Sequence, residues 1–326
     1  MNDINTDQVT DLKTEEFGKD VLNGLLASPK KLSSKYFYDK KGDKLFQQIM
    51  NLEEYYLTRS EYEILDTYKD EILNIVSNGQ KFDFFELGAG DGYKTKLLLN
   101  YFTGQKAYYT YYPIDISGNV LDELEAALSQ EIPSLNVKPL EGDYFKMLSN
   151  NSIDNATKKL ILFLGSNIGN FSLKDAQGFL TLLRQSLTDG DYFLIGVDLK
   201  KHPKIILNAY NDATGVTKAF NLNLLDRINK TFDGNFNKEK FLHSPNYDPV
   251  TGECRSYLLS LEDQTVELAQ LERSIHFRKW EPIHMEISKK YDVTELETLA
   301  EQSGFRVVKH FTDAKGYFVD SLWQAI

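Results

Sequence analysis

A single cysteine, Cys254, stands among 326 residues. It rules out an internal disulfide, and with no Cys-x-x-Cys or His-x-x-x-His spacing in the chain zinc has no ligand set, so no metal is expected. A lone thiol reads as a small inert side chain. Long apolar runs are missing too: no window reaches ~18 uninterrupted apolar residues, which excludes a membrane-spanning helix. Met1-Asn2-Asp3-Ile4-Asn5 is polar and lacks a basic segment followed by an apolar one, so no secretory signal is expected and the protein is read as cytoplasmic. Positive charge is in short supply. Lys and Arg number 37 against 48 Asp and Glu, a formal net charge of -11, which repels phosphate backbones and anionic lipid surfaces. Basic clusters at Lys30-Lys31-Lys35 and Lys200-Lys201-Lys204 lie among acids and read as solvated faces. Nucleic acid and membrane are thereby set aside as partners.

What is present is enough apolar material, 41% of residues, for one large core or two smaller ones. Residues 14–80 carry apolar positions at helical spacing, as in Val21-Leu22-Leu25-Leu26, and read as a helical lead-in. From residue 82 short β-rich runs alternate with amphipathic stretches, the pattern of a parallel α/β sheet. Strands are expected at 82–87, 108–114, 135–140, 160–164 and 192–197, with helices at 93–101, 120–128 and 176–187 between them. After residue 200 one helical stretch is expected over 205–228, then an antiparallel meander of 254–260, 265–273 and 283–288. A helix at 293–302 and strands at 306–310 and 317–323 would complete the first sheet. The expected organisation is a sheet domain of residues 62–200 completed by 290–326, and a second α+β domain built from 1–61 and 201–289.

The first strand runs into Glu86-Leu87-Gly88-Ala89-Gly90-Asp91-Gly92, where glycines permit a tight turn and close backbone approach to a ligand before a helix begins. Tyr93 occupies the place where the dinucleotide fingerprint needs its third glycine, so a nicotinamide dehydrogenase is disfavoured. Acids recur at the ends of the next two strands, Asp115 and Asp143, and carboxylates at that edge of a parallel sheet face the ligand crevice. Asp115 suits ribose hydroxyls and Asp143 an adenine amino group, with Tyr144 beside the base. No Walker lysine-serine pair is present to cradle phosphates. Glu86 before the turn suits a cationic methionine group, so S-adenosylmethionine fits best, on a Rossmann-like class I methyltransferase sheet.

Longer strings narrow the reading: Lys35-Tyr36-Phe37-Tyr38-Asp39 with Gly42 and Leu45-Phe46; Leu52-Glu53-Glu54-Tyr55-Tyr56-Leu57-Thr58-Arg59-Ser60-Glu61; the glycine turn with Lys94-Thr95; Leu162-Phe163-Leu164-Gly165-Ser166-Asn167-Ile168-Gly169-Asn170; Asp198-Leu199 with Ala209-Tyr210-Asn211-Asp212; Gly215-Val216-Thr217-Lys218-Ala219-Phe220-Asn221; and Ile283-His284-Met285-Glu286-Ile287-Ser288. Across nearly the whole chain these resemble the histidine-specific N-alpha-methyltransferase family of ergothioneine biosynthesis. The resemblance implies trimethylation of the α-amine of L-histidine to hercynine, and a monomer is expected. It implies that Tyr55, Asn170 and Tyr210 hold the acceptor's carboxylate and amine, that Glu286 and Ser288 grip its imidazole, and that Tyr38, Gly165 and Thr217 line the same pocket. Glu86, Gly88, Ala89, Gly90, Lys94, Asp115, Asp143 and Tyr144 match cofactor positions.

One departure stands out. Ser256 falls where the histidine enzymes place a bulky methionine near the imidazole, and a smaller wall admits a larger acceptor. The alternatives are therefore N-methylation of tryptophan, tyrosine or a histidine derivative, and, outside enzymology, a cofactor-binding regulatory protein. Strand alternation puts Glu286 and Ser288 on one side with His284. His284, His202, His243, His276 and His310 are read as surface or structural.

Overall fold

The computed structural model describes residues 6–148 and 157–326. They divide into two compact units: Leu57–Lys200 with Lys289–Ile326, and the N-terminal segment up to Tyr56 with Lys201–Ser288.

The first unit is built on a seven-stranded sheet. Its centre is the strand Phe82–Leu87, whose sequence Phe-Asp-Phe-Phe-Glu-Leu is buried at every position, as expected of a parallel strand covered on both faces. It pairs in parallel with Tyr109–Asp115 on one side and Lys158–Phe163 on the other. Tyr192–Asp198 continues the parallel run beyond Lys158–Phe163, and Leu140–Glu141 forms the far edge beside Tyr109–Asp115. Phe318–Ala325 and Phe305–Thr312 add an antiparallel pair at the other edge. The chain thus leaves the central strand in one direction and returns on its other side. Crevices at the carboxyl ends of the strands flanking such a reversal are where open α/β sheets bind ligands. This is the α/β class I methyltransferase architecture.

Most expected elements appear with ends displaced by a residue or two. The strand expected at 135–140 shrinks to Leu140–Glu141, plus an isolated bridge between Tyr111 and Val137. Pro139 has no N–H to give the ladder, which cuts the strand short. The helix Leu57–Ser77 is continuous and lies wholly in this unit, so the division falls at its start, Tyr56/Leu57, rather than at 61/62.

The second unit carries a five-stranded sheet in which Lys30–Lys31, Pro282–Lys289, Glu253–Ser260 and Phe241–His243 are successive neighbours and Asn246–Asp248 pairs with Glu253–Ser260. The expected meander does not form. Its middle segment contains Gln264–Leu268, which folds back on Arg273–Phe277 as a separate hairpin, because the 3-10 turn Ala269–Leu271 and a left-handed Glu272 reverse the chain at once. The hairpin's base is closed by Trp280 N–H to Ser260 O at 2.6 Å and Ser260 N–H to Glu281 O at 3.0 Å. The single helical stretch expected at 205–228 is two helices, Pro203–Tyr210 and Val216–Phe232. Asp212 ends the continuity by accepting from the N–H groups of Val216 and Thr217 at 2.9 and 2.8 Å, which starts a new helix after Gly215. Phe17, Val21 and Leu25 of the helix Thr6–Leu25 pack with Phe232, Leu258, Phe277 and Ile283 in this unit's core. Among the described residues no helix is long and apolar enough to cross a membrane.

Candidate active site

In the sheet unit, two loops follow the strands that flank the reversal. The first, after Phe82–Leu87, places Gly88 and Gly90 at positive φ, +72° and +54°. A Cβ on Gly88 would lie 2.9 Å from the Tyr144 hydroxyl, whereas one on Gly90 would meet nothing within 4 Å. The turn is therefore bare backbone, with an aromatic ring at one end and open space at the other. Asp115 steadies it, one oxygen 3.4 Å from the Gly90 N–H and the other 3.1 Å from the Ser117 N–H. Asp143 uses one oxygen to cap the short helix Tyr144–Leu148 through the N–H groups of Phe145 and Lys146. Burial, then the charges of Asp115 and Asp143, push the Tyr144 phenol up to about 12, so it stays protonated with two acids facing it. Lys94 lies at the start of the helix Thr95–Gly104 and is ion-paired to Glu61. The second loop holds Gly165 at φ +79°, its N–H 2.7 Å from Glu61 Oε1, and ends in the 3-10 turn Asn167–Asn170, where Asn170 is exposed.

The other unit gathers a second set. The Tyr210 hydroxyl donates to Ser288 Oγ at 2.8 Å, joining the end of Pro203–Tyr210 to the strand Pro282–Lys289. The Tyr55 ring lies 6.5 Å from that of Tyr210 and 6.4 Å from Phe46. Phe46 in turn contacts Tyr38 and Phe220, and Tyr38 contacts Phe220 at 5.6 Å. Tyr38 sits just before Asp39, which caps the helix Lys40–Met50 through Lys41 and Gly42 and accepts from Asn223 Nδ2 at 2.9 Å. Burial, then the charges of Glu286 and Asp43, raise the Tyr38 phenol. Tyr56, by contrast, is buried and receives the Lys201 ammonium at 2.8 Å.

The sequence matches the family described as histidine-specific methyltransferase, SAM-dependent, over residues 17–325. The chain belongs to that family. It is similar to histidine N-alpha-methyltransferase of Mycolicibacterium smegmatis, with 33% identity and 96% of each chain covered. It is also similar to ergothioneine biosynthesis protein 1 of Neurospora crassa, with 33% identity over 89% of this chain and 32% of that one. A solved structure, the PH0226 protein of Pyrococcus horikoshii, overlays 89% of this chain at a TM-score of 0.48 and 15% identity.

The donor of this methyltransferase is S-adenosylmethionine, and the bare glycine turn with Asp115, Tyr144 and Lys94 around it fits that group. Glu86 departs from its expected part. Its two oxygens accept from the hydroxyls of Thr95 and Tyr111, and it is buried beneath the turn, so it anchors the loop instead of offering a carboxylate to a cation. Burial raises its carboxyl to about 7 against those hydrogen bonds. A carboxyl raised on folding contributes stability below its unfolded value, near 4.5, that is lost as pH rises through 7. Urea unfolding should therefore show this methyltransferase losing up to roughly 3 kcal/mol relative to Glu86→Gln between pH 4.5 and 8. A pH-independent difference would overturn that account.

On the acceptor side, burial along Pro282–Lys289 alternates through Met285 and then breaks: Glu286 and Ile287 are both half-buried and Ser288 is buried. Ser256 is buried on the strand face of Leu258, a core residue beside Ile283 and Met285, while the neighbouring Tyr257 turns to the His284 ring at 5.4 Å. Ser256 thus looks into the unit's core. Thr217 is buried in the first turn of Val216–Phe232. His243, read as surface or structural, is buried, and burial lowers it to about 4. Phe46 and Phe220 went without a role in the sequence. Phe46 lies within a quoted string, and its spacing from Tyr38 and Tyr55 carries no signal until the helix is folded.

Proposed function

We propose that this methyltransferase adds three methyl groups in succession to the α-amine of L-histidine, giving hercynine, a step toward ergothioneine. The observation that carries the reading is the Tyr210–Ser288 hydrogen bond beside Tyr55, on the unit that also carries Glu286 and Tyr38. When bound, S-adenosylmethionine supplies an electrophilic methyl on a sulfonium. The chain's part is to present an amine lone pair in line with it, and orientation of this kind is worth up to roughly 7–11 kcal/mol. Tyr55, Tyr210 and Asn170 carry hydroxyl and amide groups suited to an amino acid's carboxylate and amine. With its proton engaged by Ser288, the Tyr210 oxygen is an acceptor for an amine N–H, which favours the amine orientation that exposes the lone pair. Ser288, having accepted, turns its own proton toward a ring nitrogen, and Glu286 accepts the other ring N–H. Thr217 and Tyr38, on the same unit as Tyr210, are further acceptor neighbours, and on the sheet unit Gly88, Ala89, Gly90, Lys94, Asp115, Asp143 and Tyr144 are the donor's, with Gly165 on the second loop. Aromatic faces at Tyr38, Phe46 and Phe220 suit the growing positive charge of a methylated amine.

Incubation of the protein with S-adenosylmethionine and histidine, tryptophan or tyrosine, followed by mass spectrometry, is expected to show gains of one, two and three methyl groups on histidine. Transfer to tryptophan or tyrosine with none to histidine would replace the acceptor. Donor binding without transfer to any of them would replace the enzyme reading with a regulatory one.

A further inference from the structure

Three ionisable side chains of the sheet unit meet at its two loops. Glu61, on Leu57–Ser77, is fully buried; one oxygen takes the Gly165 N–H and the other the Lys94 ammonium. Asp320, on Phe318–Ala325, is equally buried, and neither of its oxygens has a hydrogen-bond partner among the described residues. Both carboxyls converge over Gly196, where a Cβ would stand 2.0 Å from Glu61 Oε1 and 3.0 Å from Asp320 Oδ1. Two carboxylates so close in a buried place do not both ionise. Burial and the Glu61 charge push Asp320 well above the carboxylate range, with Lys94 opposing. A lysine ammonium has three donors, of which Glu61 takes one.

We propose that Glu61 is a positioning residue for the methyl donor, holding Lys94 and the Gly165 N–H on the two loops of the crevice so that the lysine ammonium is aimed at the carboxylate of the donor's methionine half. That carboxylate is the donor's one anionic group, and a buried counter-ion that fixes the ammonium spares it the entropy of a four-carbon stem. The proposal rests on the reading of Lys94 as a donor contact given above. It acts through Lys94, which makes it testable by a double-mutant cycle.

Calorimetric titration of the full-length protein with S-adenosylhomocysteine and with adenosine, which lacks the methionine half, separates the possibilities. Glu61→Gln and Lys94→Met are each expected to weaken S-adenosylhomocysteine binding at least about tenfold and adenosine binding less than about twofold. In the Lys94→Met background, Glu61→Gln should add almost nothing. Should Glu61→Gln not fold, Glu61→Asp, which withdraws the carboxylate by one methylene, is run through the same cycle with the same expectation of dependence on Lys94. Independent, additive losses, or equal loss of adenosine, would overturn the role of Glu61. An unchanged affinity in Lys94→Met would instead remove the underlying assignment of Lys94.

Discussion

Replacing Glu286 with alanine is expected to lower kcat/KM for histidine roughly 10- to 100-fold while S-adenosylhomocysteine binds within about twofold of the parent. The size follows from losing a hydrogen bond to a charged group in a partly buried place, worth about 1.5–3 kcal/mol, with the imidazole N–H left unsatisfied. The selectivity follows from placement. Glu286 lies on Pro282–Lys289 in one unit, whereas the glycine turn, Asp115 and Lys94 belong to the other. Steady-state kinetics with histidine and titration of the donor product decide it. Parallel losses in both would make Glu286 a structural residue, and no loss in either would take the imidazole from it.

The second large effect concerns Gly42, where local preference and packing predict opposite signs. It sits in the first turn of the helix Lys40–Met50, and alanine in a helix is favoured over glycine by about 1 kcal/mol. A Cβ there would stand 1.8 Å from the backbone oxygen of Phe37, which is itself wholly buried. Nor can the segment easily yield, because Asp39 is held by the Lys41 and Gly42 N–H groups and by Asn223, and Arg227 donates to the Tyr36 carbonyl at 2.9 Å. Gly42→Ala is accordingly expected to cost roughly 3–5 kcal/mol of unfolding free energy in urea, and to weaken histidine use by displacing Tyr38, which lies within the same turn. A stabilised variant would show that the segment relaxes freely.

How far the site could be read in advance depended on the range of the interactions involved. The glycine turn, the acid ending Tyr109–Asp115 and the helix Val293–Gln302 announce themselves through spacing over a few residues, since backbone φ, strand direction and helical period are local properties. Glu86 was visible as an acid before a turn. Its reversal of role needed Tyr111, which reaches it from the next strand across 25 residues. The partnership of Glu61 with Lys94 and Gly165 spans 33 and 104 residues and leaves no periodic trace. The hairpin within the expected meander was missed because alternation tells which face a residue takes and is silent on which strand it pairs with.

By itself, the order of residues determined that this chain is an acidic α/β methyltransferase with a bare glycine turn and a set of polar side chains suited to an amino acid, because composition, periodicity and ordered motifs are properties of the chain. Which carboxylates serve a ligand and which are consumed by the protein's own hydroxyls, ammonium groups and N–H groups was decided only in the folded state. Burial and proximity fix the charge of an acid, and both come into being when distant segments pack.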